Sequence, residues 1–176
     1  MSKVLMLLTA LLLAGGCTGP MPERVRVPMG TDLRSYKRLG VMPFGDNQGL
    51  GAAYSEEMIR GLWSLDFDIV SGEQLATTLR EMGVKGGESV GPQDLFELRN
   101  RTRIDGLLFG SVDCRQKTVT VVVLDTAGSE PVFEQSFSPK KCGRSEDVPV
   151  IIRHVVSAMR SRLKRQAIES IDDVPF

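Results

Sequence analysis

The amino-terminal segment constrains this chain most, because it decides which residues remain to fold and in which compartment they fold. Lys3 gives the segment a positive start, residues 4–14 are apolar apart from Thr9, and small residues follow at 14–16. This three-part pattern is typical of an export signal that is removed by cleavage. The apolar run spans 11 residues, well short of the roughly 20 that a membrane-spanning helix needs. The sequence therefore predicts a signal peptide over residues 1–16.

The signal is followed by a cysteine. Residues 13–17 have the sequence LAGGC and resemble the bacterial lipobox, with the usual leucine one position further from the cysteine. The resemblance implies a covalent diacylglycerol and palmitate anchor on Cys17, and several acyl chains hold a protein stably on a membrane. Thr18 stands where an inner-membrane retention signal would place aspartate, which favours the outer membrane, facing the periplasm. The alternative is an ordinary cleaved signal with an incidental cysteine.

Removal of residues 1–16 leaves 160 of the 176 residues, enough for one domain with a hydrophobic core. The remaining chain has 21 basic and 22 acidic residues, so its net charge of −1 does not predict a nucleic-acid partner. Besides Cys17 it keeps Cys114 and Cys142, which are a candidate disulfide in an oxidising compartment. That bond would close a loop of 28 residues and stabilise the fold by roughly 3 kcal/mol.

Residues 17–37 contain three prolines and scattered charges without a sustained period. We interpret them as the acylated cysteine and a flexible tether that reaches at most about 70 Å. The folded domain is expected over residues 38–166, with a tail at 167–176. An apolar run at 39–44 predicts a buried first strand. Apolar residues at the helical period predict the first helix, namely Tyr54, Met58, Leu62 and Leu65.

The other elements are predicted from their periods and boundary residues. Residues 67–70 form a second strand, and a capping-box pattern at 71–74 opens a second helix. Pro92 opens a third helix. Alternation of period two then predicts an antiparallel meander of three strands, before a last helix at about 147–166; the strands are 106–112, 118–124 and 132–137. The fold class is an α/β sandwich of one domain, with helices packed on a mixed sheet in the order β-α-β-α-α-β-β-β-α.

This order, together with three short motifs, resembles one known group of proteins. The motifs are VMPF at 41–44, EMG at 81–83 and IDGLLFGSV at 104–112. They resemble the superfamily of the curli-secretion lipoprotein CsgG, which includes the activator lipoprotein LpoB, flagellar outer-membrane lipoproteins and the exopolysaccharide-export lipoprotein PelC. The fold of that group is similar to the amino-terminal domain of TolB. The resemblance covers residues 38–165, and in size and layout the chain is most similar to the PelC type.

The resemblance implies a non-enzymatic outer-membrane lipoprotein with an oligomeric periplasmic domain. Its role would be that of an accessory in envelope assembly or in export of a polymer, either an exopolysaccharide or a protein. The connections are too short to add the transmembrane strands of the curli channel. Two alternatives stay open: an LpoB-like activator that binds a peptidoglycan synthase, and an assembly lipoprotein of the flagellar base or another envelope machine. Each implies an envelope protein partner, with no small-molecule substrate.

No enzyme active site is predicted. His154 is the only histidine, and it occupies an outer position of the last helix without a nucleophile or metal-spaced ligands in the sequence. The glycine-rich loop at 45–51 lacks both phosphate-binding fingerprints, which favours a simple turn. Asp105, Asp113 and Asp125 lie at strand ends, where turn and cap roles are common. We expect no metal and no cofactor besides the covalent lipid.

Two surface features are candidate interfaces. Ile59 and Trp63 form an apolar shoulder on the first helix, while Arg153, Arg160 and Lys164 form a basic stripe on the last. Each also has an ordinary explanation, because charged stripes are usually solvated and aromatic residues usually pack under neighbouring loops. If the subunits assemble into a ring, Trp63 is the expected anchor residue.

Overall fold

The computed structural model describes residues 24–26, 32–84 and 90–172, with side chains described over 32–84 and 90–168. The predicted signal peptide and Cys17 lie outside the described residues. The strands and helices, in chain order, are β1 (Arg24–Arg26), β2 (Arg38–Val41), β3 (Gly45–Asp46), α1 (Gly51–Trp63), β4 (Asp68–Ser71), α2 (Gly72–Glu81), α3 (Pro92–Thr102), β5 (Gly106–Asp113), β6 (Thr118–Asp125), β7 (Pro131–Phe137) and α4 (Val148–Asp172).

These strands form one mixed sheet with the order β1-β7-β6-β5-β2-β4, and the short β3 pairs with β5. β2 runs parallel to both β4 and β5, whereas β5, β6 and β7 form an antiparallel meander. The predicted fold class, one α/β domain with helices on a mixed sheet, is confirmed. The predicted order of elements also holds, except that the structure adds the short strands β1 and β3.

Helices cover the sheet on two faces, and each face has its own core. Successive residues of a strand point to opposite faces, so Leu107 and Leu108 of β5 lie in different clusters. The cluster that contains Leu108 includes the apolar stripes of α1 and α4. The cluster that contains Leu107 includes those of α2 and α3. Of the predicted inward positions of the first helix, Tyr54, Met58 and Leu62 are fully buried. Leu65 follows the end of α1 and is only partly buried against this core.

Part of the predicted tether belongs to the sheet and its core. β1 pairs antiparallel with β7 at the edge of the sheet. Leu33 begins a short 3-10 helix, is only 1 % exposed, and its backbone N–H donates to Gln166 Oε1 at 3.0 Å. The ordered fold therefore begins before Arg38, where the sequence placed the start of the domain. Three strand residues and one isolated leucine carry no detectable period, so this extension was not predicted.

The carboxyl-terminal helix is also longer than predicted. α4 continues to Asp172, although the sequence placed a tail from residue 167. Residues 167–172 contain neither glycine nor proline, so nothing in them ends a helix. Neither α4 nor any other helix in the described part of the chain is long and apolar enough to cross a membrane.

One buried hydroxyl leads to a test of the core. Tyr54 is fully buried, and its hydroxyl has no hydrogen-bond partner among the residues that the structure describes. Burial raises the pKa of Tyr54. An unpaired buried hydroxyl is costly, so we expect Tyr54→Phe to increase the free energy of unfolding by about 1 kcal/mol. Urea denaturation measures this change. Tyr36→Phe, at a half-buried site, is the control and should change little, and a less stable Tyr54→Phe protein would show that the hydroxyl is satisfied.

Candidate functional site

The two predicted disulfide partners meet at one end of the sheet. Cys114 follows β5, Cys142 lies beyond β7, and the structure joins them by a disulfide with their Cα atoms 5.4 Å apart. This separation lies within the roughly 7 Å that a disulfide allows. β6 lies between the two strands, so the bond links its two neighbours across it. We call this part of the molecule the disulfide end.

A carboxylate organises the turn at the disulfide end. Asp113 accepts backbone hydrogen bonds from Arg115 at 2.9 Å and Gln116 at 3.1 Å, and Asn47 Nδ2 donates to it at 2.8 Å. The bond from the backbone of Gln116 is the main cause that holds the pKa of Asp113 below its usual value. These hydrogen bonds favour the charged carboxylate, which is the acceptor that closes the turn.

The other two strand-end carboxylates have similar partners. Asp105 accepts the backbone N–H groups of Lys37 at 2.9 Å and Arg38 at 3.0 Å. Asp125 accepts those of Ala127 and Gly128 in the turn between β6 and β7. All three aspartates thus hold the backbone at loops, the role that the sequence pattern favoured.

The glycine-rich loop is also held by its own side chain. The carboxylate of Asp46 accepts the backbone N–H groups of Gln48 and Leu50. Gly49 has a φ of +76°, a conformation in which glycine avoids a steric cost. A phosphate cradle presents free backbone N–H groups to the anion, and two N–H groups of this loop are bound to the Asp46 carboxylate. The arrangement supports the interpretation of residues 45–51 as a turn.

His154 lies on the exposed side of α4, as expected, and its ring packs against Phe137 with the centroids 4.5 Å apart. Within the described part of the chain, no three His, Cys, Asp or Glu side chains are grouped as metal ligands would be.

The two residues of the predicted apolar shoulder differ in their surroundings. Ile59 is partly buried and packs against the core that α1 and α4 share. Trp63, at the last position of α1, is 59 % exposed. Trp63 is therefore the residue of this pair that remains available to a partner.

The predicted basic stripe reaches the end of α1 at Arg160, while Arg153 lies about two helical turns earlier on α4. Arg153, Arg160 and Lys164 are all exposed on α4. The guanidinium of Arg160 donates to Ser64 Oγ at 3.0 Å, and Ser64 follows Trp63 in the chain. The structure thus brings the two candidate interfaces together where α1 ends against α4. We call Trp63, Arg160 and Lys164 the α1/α4 patch.

Sequence reasoning missed a second basic group, on the loops of the disulfide end. Residues 115–117 and 140–144 contribute five exposed cations, namely Arg115, Lys117, Lys140, Lys141 and Arg144. A cavity of about 360 Å³ lies between the loops, lined by four of these cations and by Glu146 and Asp147. A count of charge for each loop would have revealed the group, although not that the two loops adjoin.

No protein-family model matches the sequence, and no curated protein matches it significantly. Solved structures do match. PelC from Paraburkholderia phytofirmans, described as a dodecamer, superposes with a TM-score of 0.51 at 13% identity, over 81% of this chain and 97% of that one. Lipoprotein GNA1162 from Neisseria meningitidis superposes with a TM-score of 0.51 at 12% identity, over 70% of this chain and 96% of that one. The chain shares their fold.

The carboxyl-terminal domain of LpoB from Escherichia coli is a looser match, with a TM-score of 0.46 at 17% identity over 60% of this chain and 83% of that one. The resemblance to lipoproteins of the PelC type that the sequence indicated is thus confirmed as a likeness of fold. Fold alone does not assign a function.

Proposed function

We propose that this chain is the precursor of a non-enzymatic outer-membrane lipoprotein, anchored through a lipid on Cys17, whose oligomeric periplasmic domain is an accessory in envelope assembly or polymer export. The signal segment supports the anchor and the compartment. The fold shared with the lipoproteins PelC and GNA1162 supports the class of protein. The turn roles of the strand-end carboxylates support a binding role over a catalytic one.

The position of β1 favours a role at the outer membrane over activation of a distant synthase. β1 begins at Arg24, seven positions after Cys17. Seven residues span at most about 25 Å even when fully extended. A domain tied down at β1 would therefore remain beside the membrane that holds its lipid, and the LpoB-like alternative would need a longer reach.

The anchor is tested by changing the cysteine that would carry it. We expect the wild-type chain, expressed in a Gram-negative host, to incorporate a palmitate analogue and to fractionate with the outer membrane. Cys17→Ala should lose the label and leave that fraction almost completely, because one domain without acyl chains has no stable attachment. Thr18→Ala is the matched control and should behave like the wild type. A Cys17→Ala protein that keeps both the label and the fraction would contradict the proposed anchor.

The oligomer is tested by the mass of the lipidated protein in detergent, measured by light scattering. We expect a discrete multiple of the chain mass, because PelC, which has a similar fold, is described as a dodecamer. Trp63→Ala should reduce that mass, since exposed aromatic residues are frequent anchors of interfaces. Phe96→Ala removes an aromatic side chain of similar exposure, 57 % against 59 %, and should leave the mass unchanged. A monomeric wild-type protein would exclude the oligomer.

A further inference from the structure

The chain enters the sheet at the disulfide end. β1 runs antiparallel to β7, with Arg24 opposite Ser136, so the first residue of β1 lies where β7 ends. The loops that carry Cys114 and Cys142 leave the sheet at this same end. Arg24, the first residue of β1, therefore lies at the disulfide end and not at the α1/α4 patch.

We propose that the disulfide end faces the membrane that holds the lipid anchor, and that its cations bind the anionic head groups of that membrane. The direction of β1 gives the orientation, and the reach of about 25 Å gives the proximity. This inference rests on the proposed anchor at Cys17 for its setting. Its chemical basis, cations on two adjoining loops, is independent of the anchor.

The cations at this end are more available than the carboxylates. Lys117, Lys140 and Lys141 are exposed and form no salt bridge within the described part of the chain. The other two cations have acidic neighbours, because Arg115 lies near Asp113 and Arg144 pairs with Glu146 at 3.3 Å.

The carboxylates at this end are mostly occupied by backbone donors. Asp46 and Asp113 accept the turn N–H groups described above, and Asp147, 7 % exposed, accepts the N–H of Arg144 at 3.2 Å. Only Glu146 is an exposed acid on these two loops. The exposed charged side chains on these two loops are therefore five cations and one acid.

Helix orientation adds to this potential. The short strand β3 pairs with the last part of β5, so α1, which follows β3, begins on this side of the sheet. α4 also begins there, directly after the loop of Arg144. The amino-terminal end of a helix carries a partial positive charge. The start of α4, directly after these loops, adds to their attraction for phosphate groups, while the cavity between the loops gives such a group room.

The inference is tested without the lipid, so that its failure can be distinguished from failure of the anchor. The probe is a set of vesicles of two parts phosphatidylcholine to one part phosphatidylglycerol, floated at low ionic strength with the mature chain carrying Cys17→Ser. This protein keeps every residue that the structure describes. Because one basic residue beside an anionic surface strengthens binding about fivefold, Lys140→Glu with Lys141→Glu should weaken binding by at least about 25-fold.

The matched control is Arg103→Glu with Arg165→Glu, which makes the same change of charge on exposed residues outside the α1/α4 patch. Arg103 follows α3 beside the start of β5, and Arg165 lies more than four helical turns along α4 from its start. Binding to anionic vesicles that the control retains and the loop variant loses supports the proposal. Equal losses in both variants would show a diffuse attraction and overturn it. Equal binding to vesicles of phosphatidylcholine alone, or no binding to either kind of vesicle, would overturn it as well.

Discussion

Replacing both Cys114 and Cys142 with serine is expected to lower the free energy of unfolding by roughly 3 kcal/mol. The disulfide closes a loop of 28 residues, and without it the unfolded chain gains the conformational freedom of that loop. For a domain of this size the change corresponds to a fall of about 6–12 °C in Tm. Urea denaturation of the oxidised wild type and the double variant measures the difference.

The two single variants test whether the cysteines act through one shared bond. Removing either cysteine breaks the same bond, so Cys114→Ser and Cys142→Ser should each cost nearly as much as the double change, which is strong non-additivity. Both side chains also pack against the core, and serine loses part of that packing. A reductant separates the two effects, because it should destabilise the wild type and leave the double variant unchanged. Additive losses, or no effect of reductant on the wild type, would contradict a structural disulfide.

The long periodic elements were predictable because burial repeats within each of them. In α1 the apolar residues at 54, 58 and 62 define one face before any partner is known. In β6 the valines at 119, 121 and 123 alternate with less buried positions, which fixes the face that meets α1 and α4. Such elements carry enough internal pattern to be recognised alone, and their order was sufficient to predict the mixed sheet.

The edges of the fold were not predictable for the opposite reason. β1 has three residues and exists because β7 offers an unpaired edge, so its signal lies more than a hundred residues away in the chain. Leu33 is buried through contact with α4, as its bond to Gln166 shows. Neither fact leaves a period in residues 17–37. The predicted tether was therefore too long, and the correction brings the domain closer to its proposed anchor.

The candidate surfaces were also not predictable as groups, because tertiary packing brings their residues together. The exposure of Trp63 and its nearness to Arg160 depend on how α1 packs on α4, where a Cβ at Gly61 would overlap Val156. Two helices that approach at a glycine bring their outer residues into one patch, which helical periods alone do not indicate. The lysines of the disulfide end belong to loops that are distant in sequence and are joined by the disulfide. The sequence pattern predicted individual residues such as Trp63 and Arg160, but only the folded structure shows that they lie close together.

Alanine at Gly110 is expected to lower the free energy of unfolding by about 2 kcal/mol. Gly110 lies in β5 under the ring of Phe44, and a Cβ there would overlap three ring atoms. The ring has little room to move, because Phe44 is 5 % exposed and stacks on Tyr54 with a centroid distance of 6.1 Å. The added methyl group must therefore displace a packed aromatic pair, which is the kind of overpacking that cores tolerate poorly.

A double-mutant cycle with Phe44→Leu attributes the loss to that contact. Leucine removes the overlapping ring atoms, so Gly110→Ala should cost at least about 1 kcal/mol less in the Phe44→Leu background. Gly45→Ala is the matched control, since a Cβ there meets its nearest atom at 3.8 Å, an ordinary contact. Equal costs of Gly110→Ala in the two backgrounds would show that the strain arises elsewhere. A smaller cost of Gly110→Ala in the Phe44→Leu background would show that the ring of Phe44, stacked on Tyr54, leaves no room for a side chain at residue 110.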